Sequence, residues 1–148
     1  MEKKTLSALV TLLLIFGAVV TDGSLLNLNK MIKQVTGRNA IINYGAYGCH
    51  CGWGSKGKPL DDTDWCCHEH DCCYHRTERQ GCCRPIITRY SYTHQFGDVS
   101  CGRGTSCQQQ ICECDREFAL CLERNSWSYR RRYRFYWNLL CKGPNPSC

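Results

Sequence analysis

Three stretches of the chain carry the spacing or capping residues of a helix. In Ser24–Thr36, leucine, isoleucine and valine recur every three or four residues, and Gly37 follows as a candidate C-cap. A second helix is predicted from the aspartates at 61–64 to about Gln80, because aspartate oxygens cap helix N-termini and a glycine follows. A third is predicted over residues 106–125.

The segments between these helices have other patterns. Residues 44–59 hold five glycines, which excludes a regular helix and predicts a loop with unusual backbone angles. Residues 86–93 are β-branched and aromatic and Gly97-Asp98 follows, so we predict a small two-stranded β-ribbon within residues 82–104. The tail, residues 126–148, is basic and aromatic and ends rich in proline, which predicts mostly loop.

The N-terminal segment has the pattern of a secretory signal peptide. A short basic start at residues 1–4 precedes an apolar run at 9–20, and small residues follow. A membrane anchor is the competing interpretation, but the run is too short to span a bilayer comfortably. We therefore predict a signal peptide over residues 1–23, a single mature domain over residues 24–148, and a secreted, extracellular protein.

The cysteine content indicates an oxidising compartment. All 15 cysteines lie in the predicted mature domain, at the density of small secreted domains that disulfides hold together. Because the number of cysteines is odd, at least one is unpaired, forms a disulfide with another molecule, or is an addition to the disulfide pattern from which this chain derives. We predict a mainly α, disulfide-rich fold.

The charge is basic and locally concentrated. The formal net charge is +6, and four arginines cluster near the C-terminus, namely Arg130, Arg131, Arg132 and Arg134. Either this run is a solvated helix end, or it attracts the protein to anionic surfaces such as acidic lipids or heparan-type glycans. Nucleic acid is not an expected partner, because no nucleic-acid-binding motif is present.

Cysteine spacing allows two of the predicted helices to be joined. Cys66 and Cys73 are seven residues apart and share one face of the second helix, as Cys114 and Cys121 do on the third. Two antiparallel helices could therefore be linked by Cys66–Cys121 and Cys73–Cys114.

The joined face also carries a candidate general base. His70 lies four residues after Cys66 and three before Cys73, which puts it on the same face. If the third helix packs in this way, the position that faces His70 is close to Asp115. A carboxylate that faces an imidazole orients it, as a general base requires.

Asp71 is turned away from that face, and the glycine-rich loop is the natural candidate to cover it. Main-chain carbonyl oxygens of such a loop, together with one carboxylate, make an all-oxygen site that suits Ca²⁺. Zinc is the competing interpretation, because cysteine and histidine abound. A secreted chain with this many paired cysteines, however, leaves few free thiolates.

Three separated motifs occur in the order of one known family. Tyr47-Gly-Cys-His-Cys-Gly-Trp-Gly54 resembles the calcium-binding loop of secreted phospholipase A2, Cys66-Cys-His-Glu-His-Asp-Cys-Cys-Tyr74 resembles its active-site signature, and Cys112-Glu-Cys-Asp115 resembles its later Cys-x-Cys-Asp element. The resemblance covers residues 24–148 and is closest to group II, IIA- and IID-like members. It implies an N-terminal amphipathic helix, a calcium-binding loop, two long antiparallel disulfide-linked helices and a small β-ribbon.

The resemblance also implies an activity. The chain would be a monomeric, calcium-dependent phospholipase A2 that hydrolyses the sn-2 ester of glycerophospholipids at membrane interfaces, releasing a fatty acid and a lysophospholipid. His70 would activate water, and Asp115 would hold its imidazole. Tyr74 and Tyr90 would hydrogen-bond that carboxylate.

A metal site and an oxyanion site follow from the same resemblance. The calcium ligands would be Asp71 and the main-chain carbonyls of His50, Gly52 and Gly54. The metal and the Gly52 N–H would stabilise the oxyanion.

Lipid contacts are expected on the first helix and on the loop. The resemblance makes Leu25, Leu28 and Ile32 the wall of a channel for lipid chains, although an apolar helix stripe is more often core. Trp53 is either a packed aromatic or a membrane contact. The glycines around it leave little to pack on, which favours the membrane.

The family framework implies five further disulfides, Cys49–Cys141, Cys51–Cys67, Cys72–Cys148, Cys82–Cys107 and Cys101–Cys112. Cys83 is left over, and Cys82 and Cys83 could exchange partners. Ser55 stands where many relatives have glycine. His68 occupies a position that the motif leaves free, and we expect a surface histidine without a role.

Two other functions stay open. A non-catalytic relative that acts through a receptor or by disrupting membranes would typically lack the metal-binding aspartate, whereas Asp71 is present. A cationic glycan-binding protein is compatible with the arginine cluster, and it does not exclude catalysis.

Overall fold

Helices make up most of the fold in this computed structural model, which describes residues 23–82 and 84–148. The predicted signal peptide up to residue 22 and Cys83 lie outside the described residues. The main elements are α1 (Ser24–Thr36), α2 (Ala40–Tyr44), α3 (Asp62–Arg79), β1 (Tyr92–Gln95), β2 (Asp98–Cys101) and α4 (Ser106–Arg124). Single-turn 3₁₀ helices follow at Ser126–Ser128, Arg131–Tyr133 and Asn138–Leu140. Within the described ranges, no helix has the length and apolarity needed to cross a membrane.

The three helices predicted from the sequence are present, and local caps explain their ends. α1 stops at Gly37, whose φ of 74° is the left-handed conformation of a C-cap. α3 starts after Asp61, whose side chain accepts a hydrogen bond from the Asp64 N–H. α4 starts with a capping box between Thr105 and Gln108.

Two disulfides join α3 to α4. Cys66–Cys121 and Cys73–Cys114 have Cα separations of 5.8 and 5.7 Å. Because residue numbers rise along α3 while those of the partners fall along α4, the helices are antiparallel. α1 packs against α4. The core cluster draws on both helices, with Leu28, Met31 and Ile32 from α1 and Ile111, Ala119 and Leu122 from α4.

Five more disulfides form among the described residues, and they tie the loops to this helical frame. They are Cys49–Cys141, Cys51–Cys67, Cys72–Cys148, Cys82–Cys107 and Cys101–Cys112. These are the pairs that the resemblance implies. Two of them, Cys49–Cys141 and Cys72–Cys148, fasten the C-terminal segment to the glycine-rich loop and to α3.

The β-ribbon is present, but its first strand lies later than predicted. β1 and β2 pair antiparallel from Tyr92↔Cys101 to Gln95↔Asp98, and most of residues 86–93 forms turns and coil instead. The physical reason is tertiary. The Ser24 hydroxyl donates to the Pro85 carbonyl and the Tyr90 side chain is buried, so these two residues anchor the segment to the helices and it does not pair.

The short helix α2 was not predicted. Asn39 caps it by accepting a hydrogen bond from the Ile42 N–H, but its two isoleucines, Ile41 and Ile42, are exposed. A helix that turns its apolar residues to solvent leaves no inward hydrophobic periodicity to detect.

We expect loss of the Cys73–Cys114 disulfide, by changing both residues to alanine, to lower the free energy of unfolding by about 4 kcal/mol, because the bond spans 41 residues. Loss of Cys101–Cys112, which spans 11 residues, should cost about 3 kcal/mol on the same chain-entropy basis. Urea unfolding of both double variants measures the difference. A larger loss from the shorter bridge would contradict this account.

Candidate active site

His70 on α3 and Asp115 on α4 face each other across the joined helices. His70 Nε2 lies 2.7 Å from Asp115 Oδ1, and the carboxylate is fully buried while the imidazole is 9% exposed. Because a carboxylate accepts here, the neutral form of the imidazole carries its proton on Nε2 and its lone pair on Nδ1. The pair therefore has the tautomer of an oriented general base.

Two tyrosines complete the surroundings of the buried carboxylate. The Tyr74 hydroxyl donates to Asp115 Oδ1 and the Tyr90 hydroxyl to Oδ2, each at 2.6 Å. Burial, and then the negative charge of Asp115, raise the pKa of both tyrosine hydroxyls, so they stay protonated and act as donors. Three donors thus compensate a charge that would be costly without partners.

Aromatic packing restricts the imidazole. The Phe118 ring stacks on the His70 ring with centroids 4.3 Å apart and an interplanar angle of 19°. The Tyr74 ring lies tilted against it, with centroids 4.2 Å apart. These contacts and the bond to Asp115 fix the imidazole plane, and a fixed base loses little entropy when it acts.

The glycine-rich loop is anchored to the start of α3 by one buried carboxylate. Asp64 accepts hydrogen bonds from the Cys49 and His50 N–H groups at 2.8 Å and from the Leu60 N–H at 2.9 Å. A Cβ on Gly48 would collide with this carboxylate. Asp61 thus supplies the cap expected of the 61–64 run, and Asp64 holds the loop.

The His50 carbonyl oxygen, the Ser55 hydroxyl and the Asp71 carboxylate lie close together in the glycine-rich loop and at α3. Gly52 and Gly54 have positive φ values of 88° and 82°, and a side chain at Gly52 would collide with a main-chain carbonyl. The Ser55 hydroxyl donates to Asp71 Oδ2 at 2.7 Å and lies 3.3 Å from the His50 carbonyl oxygen. A carboxylate beside a main-chain carbonyl and a hydroxyl is a set of oxygen donors that suits Ca²⁺.

An exposed apolar group lies beside this loop and was not predicted from the sequence. The Asn138 amide donates to the Gly54 carbonyl at 2.8 Å and to the Trp53 carbonyl at 3.2 Å. It brings the exposed side chains of Trp137 and Leu139 to the loop that carries Trp53, which is 90% exposed. The signal in the sequence was the run of aromatic and leucine residues at 135–140, which only Asn138 interrupts.

The residues expected to contact lipid lie in different environments. Leu25 is 50% exposed, whereas Leu28 and Ile32 are buried at 8% and 1% and belong to the core cluster. The first apolar residue of α1, Leu25, therefore faces solvent, whereas the later residues Leu28 and Ile32 face the core.

The expectation that His68 lies on the surface was wrong. It is 8% exposed, and its ring packs edge-on against the rings of Trp65 and His50. The C-terminal segment, held by Cys72–Cys148, covers this side of α3. His68 and these two sulfurs lie within 4.8 Å of one another, but both cysteines are disulfide-bonded and offer no thiolate to zinc.

The arginine cluster divides into two kinds of side chain. Arg130, Arg131 and Arg132 are exposed. The Arg134 guanidinium instead donates to Asn43 Oδ1 at 2.8 Å and to the Tyr129 hydroxyl at 3.2 Å, which ties the C-terminal segment to α2.

Comparison with known proteins shows which family this chain resembles. A model of the family described as Phospholipase A2 matches residues 25–134. The group IID secretory phospholipase A2 of Mus musculus is 48% identical over 142 residues, which cover 95% of this chain and 98% of that protein.

Two further relatives extend the comparison. The membrane-associated phospholipase A2 of Rattus norvegicus is 46% identical over 98% of this chain and 99% of its own length. The basic phospholipase A2 Cll-N6 of Crotalus lepidus lepidus is 51% identical over 88% of this chain and 92% of its own. A family match over most of the chain, with relatives this similar along nearly their full length, means that the chain belongs to the phospholipase A2 family.

Proposed function

We propose that this protein is a secreted, calcium-dependent phospholipase A2 that cleaves the sn-2 ester of glycerophospholipids at membrane interfaces. The products are a free fatty acid and a lysophospholipid. Family membership supports the phospholipase A2 activity. The observation that carries the mechanism is the His70–Asp115 pair, in which a buried carboxylate holds a partly exposed imidazole at 2.7 Å.

The base chemistry follows from the fixed tautomer. His70 Nδ1 takes a proton from water as the water attacks the ester carbonyl, and the resulting imidazolium is stabilised by the adjacent Asp115 charge. The proton then passes to the leaving alcohol. Tyr74 and Tyr90 keep the carboxylate oriented throughout, because both donate to it.

The calcium ligands in this proposal are Asp71 and the carbonyls of His50, Gly52 and Gly54. When bound, the cation supplies positive charge that stabilises the oxyanion. The Gly52 N–H serves as a second donor to the same oxygen. Asp71 contributes the only formal negative charge of this set, so its loss should abolish binding.

The proposal also covers processing and surface contacts. Residues 1–23 act as a cleaved signal peptide, in keeping with relatives named as secretory phospholipases A2, and residues 24–148 form the mature monomer. Trp53 and Leu25, whose side chains are exposed, meet the lipid surface, and the buried Leu28 and Ile32 form the inner wall of the channel for lipid chains. Arg130–Arg132 favour anionic membranes and heparan-type glycans, and a cell-surface receptor is a further candidate partner.

We expect His70→Gln to reduce hydrolysis of phospholipid vesicles by roughly 10²–10⁴-fold, because it removes the general base. Calcium binding and the far-UV spectrum should stay unchanged. His75→Gln is the matched control, since His75 lies on the same helix with a side chain that is 70% exposed. Activity above about a hundredth of the parent value would exclude His70 as the base.

We expect Asp71→Lys to abolish both calcium binding and hydrolysis, because an ammonium group replaces the only charged ligand. Calorimetric titration with Ca²⁺ measures the first effect and a fatty-acid release assay the second. Asp62→Lys, an equal charge change at an exposed position of α3, should retain both. Hydrolysis by the unmodified protein in excess chelator would contradict the calcium mechanism.

We expect the triple change of Arg130, Arg131 and Arg132 to glutamine to weaken adsorption to phosphatidylglycerol vesicles and heparin. Each arginine contributes on the order of 1 kcal/mol at low salt, and screening reduces this as salt rises. Turnover of a monomeric short-chain substrate should hardly change. Changing Arg76 and Arg79 to glutamine is the control, since both are exposed arginines in the last turn of α3. If the triple variant binds as well as the parent at low salt, the three arginines do not contribute to surface binding and form only a solvated turn.

A further inference from the structure

We propose that Ser55 contributes its hydroxyl oxygen to the calcium site as an additional side-chain ligand. The proposal rests on the proposed function, because it concerns the same loop.

The distances around the hydroxyl are those of neighbouring ligands in one coordination shell. Ser55 Oγ lies 2.7 Å from Asp71 Oδ2 and 3.3 Å from the His50 carbonyl oxygen. When seven oxygens surround Ca²⁺ at 2.3–2.6 Å in a pentagonal bipyramid, adjacent oxygens are roughly 2.7–3.7 Å apart. The serine oxygen therefore lies where a ligand next to both Asp71 and His50 belongs.

The chemistry of a hydroxyl allows this double role. Serine offers one proton and two acceptor lone pairs. It can keep its hydrogen bond to Asp71 Oδ2 while a lone pair faces the cation, as a coordinated water beside a carboxylate would. A hydroxyl is a neutral, hard oxygen ligand, so it adds coordination without adding charge.

The backbone on both sides of Ser55 is already fixed. The Gly54 carbonyl accepts a hydrogen bond from the Asn138 amide at 2.8 Å, and the Lys56 N–H donates to the Cys49 carbonyl at 3.2 Å. Cys49 is itself held to Asp64 and to Cys141. Ser55 is thus presented by an ordered turn, and little conformational entropy remains to be lost when it ligates.

The test compares Ser55→Ala with Ser55→Thr, which keeps the hydroxyl. Calorimetric Ca²⁺ titration should give a dissociation constant about tenfold higher for the alanine variant, because water replaces a preorganised ligand. Terbium(III) is the second probe. Its luminescence lifetimes in H₂O and D₂O, excited through the neighbouring Trp53, count the waters bound to the ion.

The alanine variant should hold about one more coordinated water than the parent, and the threonine variant the same number as the parent. An unchanged water count in Ser55→Ala overturns the proposal, since the hydroxyl then acts only from outside the shell. Tighter calcium binding by Ser55→Ala also overturns it, since the hydroxyl then competes with the cation. Failure of the proposed function is distinct, because the unmodified protein would bind neither ion.

Discussion

The fixed spacing between α3 and α4 is the constraint on which the candidate site depends. A hydrogen bond of 2.7 Å between His70 and Asp115 joins two different helices, so a small slide of one helix along the other would break it. The disulfides Cys66–Cys121 and Cys73–Cys114 lie on either side of His70 along α3 and prevent that slide. The same frame buries Asp115 completely, which is tolerable because three donors compensate its charge.

α3 also determines where the loop lies. Asp64, in the first turn of this helix, holds the backbone of Cys49 and His50, and Cys51–Cys67 adds a covalent link. The proposed base and the proposed metal-binding carboxylate, His70 and Asp71, are neighbours on that helix. Both halves of the proposed chemistry are therefore positioned by one rigid element, and their relative geometry does not depend on a mobile connection.

Features with local signals could be predicted from the sequence. The ends of α1, α3 and α4 follow from caps and periodicity. The seven-residue spacing of the cysteines on α3 and on α4 places one face of each helix opposite the other. The features that were missed depend on contacts between distant segments. His68 is buried because the C-terminal segment folds over it. β1 starts late because the Tyr90 hydroxyl donates a hydrogen bond to the buried Asp115 carboxylate. The approach of Asn138 to Gly54 spans 84 residues, and no local pattern encodes it.

The C-terminal segment forms one unit with the loop. The Gly48 N–H donates to the Tyr133 carbonyl and the Lys58 N–H to the Lys142 carbonyl, both at 2.9 Å, and Asn138 bonds the loop between these points. Trp53 and Trp137 are both exposed, and the backbone segments that carry them are held together by these hydrogen bonds. A lipid surface that binds these indoles would meet the loop in a fixed orientation. Adsorption then presents the proposed calcium ligands to the lipid without the entropy cost of ordering a separate lid.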